Sequence, residues 1–260
     1  MYLPQLLARA EKGEKLIVLT CYDASFARLL AENGVDVLLV GDSLGMTIQG
    51  HATTLPVTLD QMVYHTEAVA RGAAGKAFVV ADMPFGSYQK NPEQAFDAAA
   101  RLMAAGANMV KVEGGAVMVE TVHFLTRRGI PVCGHLGLQP QSVNATGYRA
   151  QARDATAATQ LFQDANDLEV AGIQMLVLES IPAVLADEVT QHLSVPTIGI
   201  GAGPLCNGQV LVLQDLLGLT EKPPRFAKDF MEGAWNLGAA IRNYAAAVKA
   251  GEFPGPEHSF

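Results

Sequence analysis

Eight short apolar runs, each too short for a helix, recur along the 260 residues. They are LIVLT (16–20), VDVLLV (35–40), AFVVA (77–81), NMVKV (108–112), IPVCG (130–134), QMLVL (174–178), PTIGI (196–200) and QVLVL (209–213). Several lack polar alternation, which is how strands buried on both faces read. Helical segments separate most of them. Asp23 is placed to cap ASFARLLAEN, Thr58 and Gln61 form a capping box, and Asn91-Pro92 opens EQAFDAAARLMAAG with proline in the first turn. Other helical segments span 116–128, 156–171 and 182–193. Strand and helix in steady alternation imply a parallel sheet with right-handed crossovers. Eight strands at this length predict an α/β fold of the (β/α)8 TIM barrel type, for which ~250 residues is typical. A doubly wound open sheet is the alternative, because GAGPLCNG, the seventh connection, is too short for a full helix. No linker divides the chain. Residues 1–260 are expected to form one domain, with 227–250 a helix and 221–260 the C-terminal segment and tail.

Half the residues are hydrophobic and 17% are charged, so a large core can form and the composition argues against disorder. A net charge of −8 argues against nucleic acid as a partner. No apolar run approaches the ~18 residues of a membrane helix. The first fifteen residues, MYLPQLLARAEKGEK, hold no apolar stretch of the signal-peptide kind. Cys21, Cys133 and Cys206 are odd in number, far apart and free of any CxxC pattern, as buried thiols in a reducing cytoplasm would be. The expected location is cytoplasmic.

A weak repeat gives the barrel a chemistry. ENGVDVLLVGD, AAGANMVKVEG and EVAGIQMLVLES each set a helix-ending glycine seven or eight residues before an acid: Gly34 before Asp42, Gly106 before Glu113, Gly172 before Glu179. AFVVAD adds Asp82. These acids fall at the carboxyl ends of strands two, three, four and six, the face on which barrels keep their active sites. A lone strand-end Asp-Ser pair such as Asp42-Ser43 serves as readily for capping as for function. Three acids on adjacent strands are another matter. Asp42, Asp82 and Glu113 are expected to converge, and like charges so close stay ionised only beside a cation. Oxygen ligands suit a hard ion, Mg2+ in particular.

Lys111 lies two residues before Glu113, hence on the same face of its strand. It reads as a salt bridge to a neighbouring acid, as a clamp for an acidic substrate, or as both. His135, at the end of strand five, reads as a donor to substrate; His51, His65, His123, His192 and His258 receive no role. GIGAG is either an anion-binding nest or a place of close backbone approach. Glu179 follows MLVL and precedes Ser-Ile-Pro, so apolar company and a raised pKa are expected for it, as suits a general base. A hard cation, a cationic side chain and a separate carboxylate suit removal of a proton beside a carbonyl.

VGDSLGMTIQGHATTLPVTLDQMVYHT, ADMPFGSYQ, AGANMVKVEGG, PVCGHLGLQPQSVN, VLESIP, GIGAG and PGPEHSF, in that order over nearly the whole chain, resemble the ketopantoate hydroxymethyltransferase family. The resemblance implies a (β/α)8 barrel and transfer of a hydroxymethyl group from 5,10-methylenetetrahydrofolate to 3-methyl-2-oxobutanoate. The product would be 2-dehydropantoate, on the route to pantothenate, formed through a Mg2+-stabilised enolate. By motif, Asp42 and Asp82 would ligate Mg2+ and Glu113 would do so directly or through water. Asp42, Ser43, Asp82 and Lys111 would surround the keto acid with His135 close by, and Glu179 would accept the proton. The resemblance also implies a homo-oligomer, often a decamer. One stretch departs from the family's usual pattern: ATGYRAQARDA (145–155) lacks a glycine and an aromatic. Two other readings stand beside this one. The first is a Mg2+-dependent lyase of the isocitrate lyase and phosphoenolpyruvate mutase group. The second is a non-catalytic binding barrel, which predicts loss of an acid or of Lys111; none is lost.

Overall fold

The computed structural model describes all 260 residues. Eight parallel strands close into a barrel in sequence order: β1 (Leu16–Thr20), β2 (Val37–Val40), β3 (Phe78–Asp82), β4 (Met109–Glu113), β5 (Val132–Gly137), β6 (Met175–Glu179), β7 (Thr197–Ile200) and β8 (Gly208–Leu211). β8 pairs with β1 over Leu16–Leu19, which excludes the open sheet. The closed barrel is the TIM-barrel fold expected from the strand count.

Each strand is buried on both faces because its residues alternate between two cores. Leu16, Val18, Val37, Phe78, Val80, Met109, Cys133, Met175, Val177, Ile198, Ile200 and Val210 form the barrel interior with Leu6. Their neighbours, such as Ile17, Leu19, Leu38, Val40, Val79, Ala81, Val110 and Val112, join the larger core beneath the helices. This period of two decides where the strand-end side chains go.

The helices begin at the expected caps. The Asp23 carboxylate accepts from the backbone N–H groups of Ser25 and Phe26, and Asn91 caps Pro92–Ala104 through the N–H of Gln94. Thr58 and Gln61 exchange both bonds of the capping box ahead of Leu59–Ala73. Gly34, Gly106 and Gly172 all adopt positive φ (91°, 105° and 102°), so the repeated glycine is the left-handed stop after a helix.

Two elements differ from expectation. A first helix, Leu3–Glu11, is not foreshadowed by the strand pattern; its Leu6 is fully buried and stops the lower end of the barrel. The C-terminal helix starts at Leu237 rather than 227. Residues 227–236 lack helix because Gly233 sits at φ 75° and Asn236 takes the capping role, accepting from Ala239 N–H at 2.7 Å. The Tyr244 hydroxyl of that helix donates to Val18 O at 3.1 Å and Gln209 O at 2.8 Å, fastening it across the β1–β8 seam. No helix is long and apolar enough to cross a membrane.

Candidate active site

The interior phase of the strands continues to their carboxyl ends. Asp82 is in step with Phe78 and Val80, Lys111 and Glu113 with Met109, His135 with Cys133, and Glu179 with Met175 and Val177. All five therefore point into the barrel mouth. Register then makes neighbours of them, because Asp82 pairs with Lys111 across β3–β4 and Glu113 with His135 across β4–β5.

Asp42 is out of step. It lies two residues past the end of β2, and an extended strand would turn it outward with Val40. A turn at Gly41 brings it in: Leu44 N–H bonds to Gly41 O at 3.1 Å, and Asp42 N–H bonds to Asp82 Oδ2 at 3.0 Å. A Cβ on Gly41 would stand 2.6 Å from Ser43 Oγ, so any larger residue here would displace the Ser43 hydroxyl. Ser43 Oγ is 2.8 Å from the Tyr22 hydroxyl.

Asp42, Asp82, Lys111, Glu113 and His135 are all buried. Lys111 Nζ lies 3.1 Å from Asp82 Oδ1, 4.0 Å from Glu113 Oε1 and 3.2 Å from His135 Nδ1. His135 stands between two acids, with Nδ1 3.4 Å from Glu113 Oε1 and Nε2 3.2 Å from Glu179 Oε2. Glu179 is thus not in purely apolar company; an imidazole faces it, because the two side chains share the interior phase of adjacent strands.

Burial lowers the pKa of Lys111, but Asp82, Glu113 and Asp42 outweigh it and the net shift is upward. A permanently charged lysine makes a poor Schiff-base nucleophile. For His135, burial and Lys111 push down, while Glu113 and Glu179 prevail and raise it. Burial would raise Glu113, yet the contact with His135, the Lys111 charge and the Gln141 N–H hold it below the usual carboxylate range. Asp42 goes the other way: burial, then the charges of Asp82 and Glu113, drive it well up. The pocket holds more carboxylate charge than Lys111 and His135 balance.

That surplus fits a divalent cation. Asp82 Oδ1 is buried, lies within ion-pair range of Lys111 and has no aligned hydrogen-bond partner. The expected convergence of three acids is only partly met, since nowhere do three His, Cys, Asp or Glu side chains form a ready-made metal cage. Donors stand among the acids instead: Lys111 beside Asp82 and Glu113, and Gln141 beside Glu113 and Asp42. The Gln141 backbone N–H takes Glu113 Oε2 at 3.0 Å, and its side-chain amide donates to Asp42 Oδ2 at 2.8 Å and Met83 O at 2.9 Å. Asp42 and Asp82 are the pair that could hold such a cation, since Mg2+ commonly makes do with one or two carboxylates plus water and substrate oxygens.

Gln141 carried no role in the sequence reading, nor did Tyr88, whose hydroxyl donates to Gln141 Oε1 at 2.7 Å and accepts from Glu113 N–H at 3.0 Å. Both lie in quoted motifs, PVCGHLGLQPQSVN and ADMPFGSYQ, but a neutral amide and a phenol leave no spacing signature. GIGAG proves to be a place of close approach. A Cβ on Gly201 would meet Phe260 at 3.0 Å and Phe226 at 3.1 Å, and one on Gly203 would meet Ala183 at 2.6 Å.

Over these residues opens a cavity of about 970 Å3. It is lined by the acids, Lys111, His135 and Ser43, by His51, by Tyr148 and Arg149 of the divergent stretch, and by Lys222, Arg225, Phe226 and Phe260 from the C-terminal segment.

Comparison with known proteins bears on this site. The family profile described as "Ketopantoate hydroxymethyltransferase" matches residues 1–256. The chain is 63% identical over 259 residues to the 3-methyl-2-oxobutanoate hydroxymethyltransferase of Thiobacillus denitrificans, covering 99% of this chain and 98% of that one. It is also 63% identical over 262 residues to the protein of that name from Methylobacillus flagellatus, covering both in full. Among solved structures it is similar to phosphoenolpyruvate phosphomutase from Streptomyces platensis subsp. rosaceus (TM-score 0.64, 16% identity, 84% of this chain and 83% of that one). A phosphonopyruvate hydrolase solved with oxalate and Mg++ is similar as well (TM-score 0.62, 12% identity, 82% and 81%). Identities this low show a shared barrel and nothing more.

Proposed function

The chain belongs to the ketopantoate hydroxymethyltransferase family, and on that premise we propose that its buried acids and Glu179 divide the work of transferring a hydroxymethyl group from 5,10-methylenetetrahydrofolate to 3-methyl-2-oxobutanoate. The observation that carries this reading is the separation of two acidic groups by one imidazole. Asp82 and Glu113 lie on the Lys111 side of His135, and Glu179 lies on the Nε2 side at 3.2 Å.

Mg2+ held by Asp42 and Asp82, with Glu113 as a third or water-bridged ligand, would supply the Lewis acidity that makes the C–H beside the ketone labile. Lys111 adds a fixed positive charge where negative charge develops on the keto acid. Ser43, steadied by Tyr22, is a contact for the same substrate. Glu179 is the base. It and Glu113 both line the cavity, but its side chain is 13% exposed against 4% for Glu113, and no Gln141 or Lys111 contact engages it as they engage Glu113. His135 orients it. The substrate C–H bond breaks and its proton goes to Glu179. The electron pair forms the new C–C bond to the donor's methylene carbon as one of that carbon's two carbon–nitrogen bonds breaks. Water supplies the hydroxyl as the second breaks, and the two freed nitrogens take up the proton passed on from Glu179 and one from the water.

The test is formation of 2-dehydropantoate from both substrates with Mg2+, run beside exchange of the keto acid's C–H for deuterium in heavy water. Both are expected. Product without folate dependence, or no exchange under any metal condition, would sink the reading.

A further inference from the structure

The cavity is far larger than a five-carbon keto acid requires, and its outer part differs in chemistry from its floor. There the lining is cationic and aromatic: Arg149 on one side, and Lys222, Arg225, Phe226 and Phe260 on the other. No carboxylate lies within ion-pair range of Arg149, Lys222 or Arg225, although the chain carries a net charge of −8. In an acidic protein, unneutralised cations gathered on one cavity rim call for an anionic ligand.

The aromatic wall of this outer part is built rather than incidental. Phe226 and Phe260 both rest on Gly201, where any Cβ would crowd them at 3.0–3.2 Å. Arg225 lies 5.2 Å from the Phe260 ring, and its Nε donates to Glu257 O at 3.0 Å, which ties the terminal residues to the mouth. On the facing side, Gln151 N–H bonds to Ser180 O at 2.9 Å and holds the stretch that carries Arg149 next to Glu179.

We infer that this outer region is the donor's subsite: Phe226 and Phe260 take the flat ring system of a reduced folate, and Arg149, Lys222 and Arg225 take the carboxylates of its glutamate tail. The inference rests on the functional reading above and extends it to named residues. Each exposed ion pair is weak and screened by salt, so the tail gains affinity with each added γ-linked carboxylate and loses it at high ionic strength.

Titration calorimetry of the full chain with tetrahydrofolate carrying one or three glutamates tests this without reference to turnover. The triglutamate should bind about fivefold tighter or better, the worth of one well-made exposed pair. The advantage should shrink at high salt and disappear in the Arg149→Ala/Lys222→Ala double variant, whose altered side chains are exposed and leave the core intact. Equal affinity for the two ligands, or an advantage that survives the double variant, overturns the inference. Deuterium exchange and product formation by the wild type judge the functional reading separately, so failure of one is distinguishable from failure of the other.

Discussion

The side-chain amide of Gln141 donates to Asp42 Oδ2 at 2.8 Å, joining two residues ninety-nine positions apart. With its backbone N–H on Glu113 Oε2, the one residue bonds an acid of β4 and an acid of the turn after β2. Gln141→Leu should leave Asp42 Oδ2 and Met83 O buried without donors, at about 1–3 kcal/mol for each group. Urea unfolding should report that loss, and Mg2+-dependent activity should fall with it. A variant as stable and as active as the wild type would show that the clamp is dispensable.

Metal removal is expected to abolish turnover. EDTA should silence the enzyme and Mg2+ should restore it, while Asp42→Ala and Asp82→Ala should weaken metal and keto acid binding together. Full activity of a chelated, metal-free preparation would refute the ligand assignment.

Glu179→Gln retains shape and hydrogen-bonding capacity but cannot accept a proton. A positioned base is worth ~10²–10⁴ in rate, so turnover should drop by that factor while keto acid binding persists. Deuterium exchange should drop in parallel. Exchange at the wild-type rate would leave Glu179 a packing residue.

The His135 and Glu113 pair predicts a pH window for stability. His135 binds its proton more tightly folded than unfolded, so its contribution is full below its ordinary value of 6.5 and is lost as pH rises through the raised folded value. Glu113 is depressed, so its contribution is full above 4.5 and is lost as pH falls through the folded value. Thermal unfolding of the metal-free protein should place the largest penalty of His135→Gln between those limits. A penalty that does not change from acid to alkaline pH would exclude the ion pair as its source.

Trp235 is the chain's single tryptophan and is 81% exposed in the isolated subunit. It lies in the C-terminal segment, the candidate contact if the chain assembles into the homo-oligomer, often a decamer, that the family resemblance implies. Light scattering should find a large assembly, and Trp235 emission should be blue-shifted and shielded from quenchers. A 27.5 kDa particle with fully quenchable emission would overturn both expectations.

Much of this protein was legible from the sequence because a parallel barrel writes itself locally. Strands buried on both faces must be apolar throughout, helices must be capped where Asp23, Thr58 and Asn91 stand, and a left-handed stop needs glycine at 34, 106 and 172. The same period of two places Asp82, Lys111, Glu113, His135 and Glu179 at the mouth, so much of the candidate site was implied by counting along strands. Tertiary structure alone decided the rest. Asp42 enters the site against the phase of its strand, through a turn closed by the Leu44 N–H to Gly41 O bond and tied to the Asp82 carboxylate of the neighbouring strand. Gln141 bonds Glu113 and Asp42, and His135 rather than apolar surface meets Glu179. Each of these is a contact between elements distant in the chain. A hydrogen bond over ninety-nine residues leaves no mark on the local pattern of either partner, because its geometry exists only once the barrel has closed.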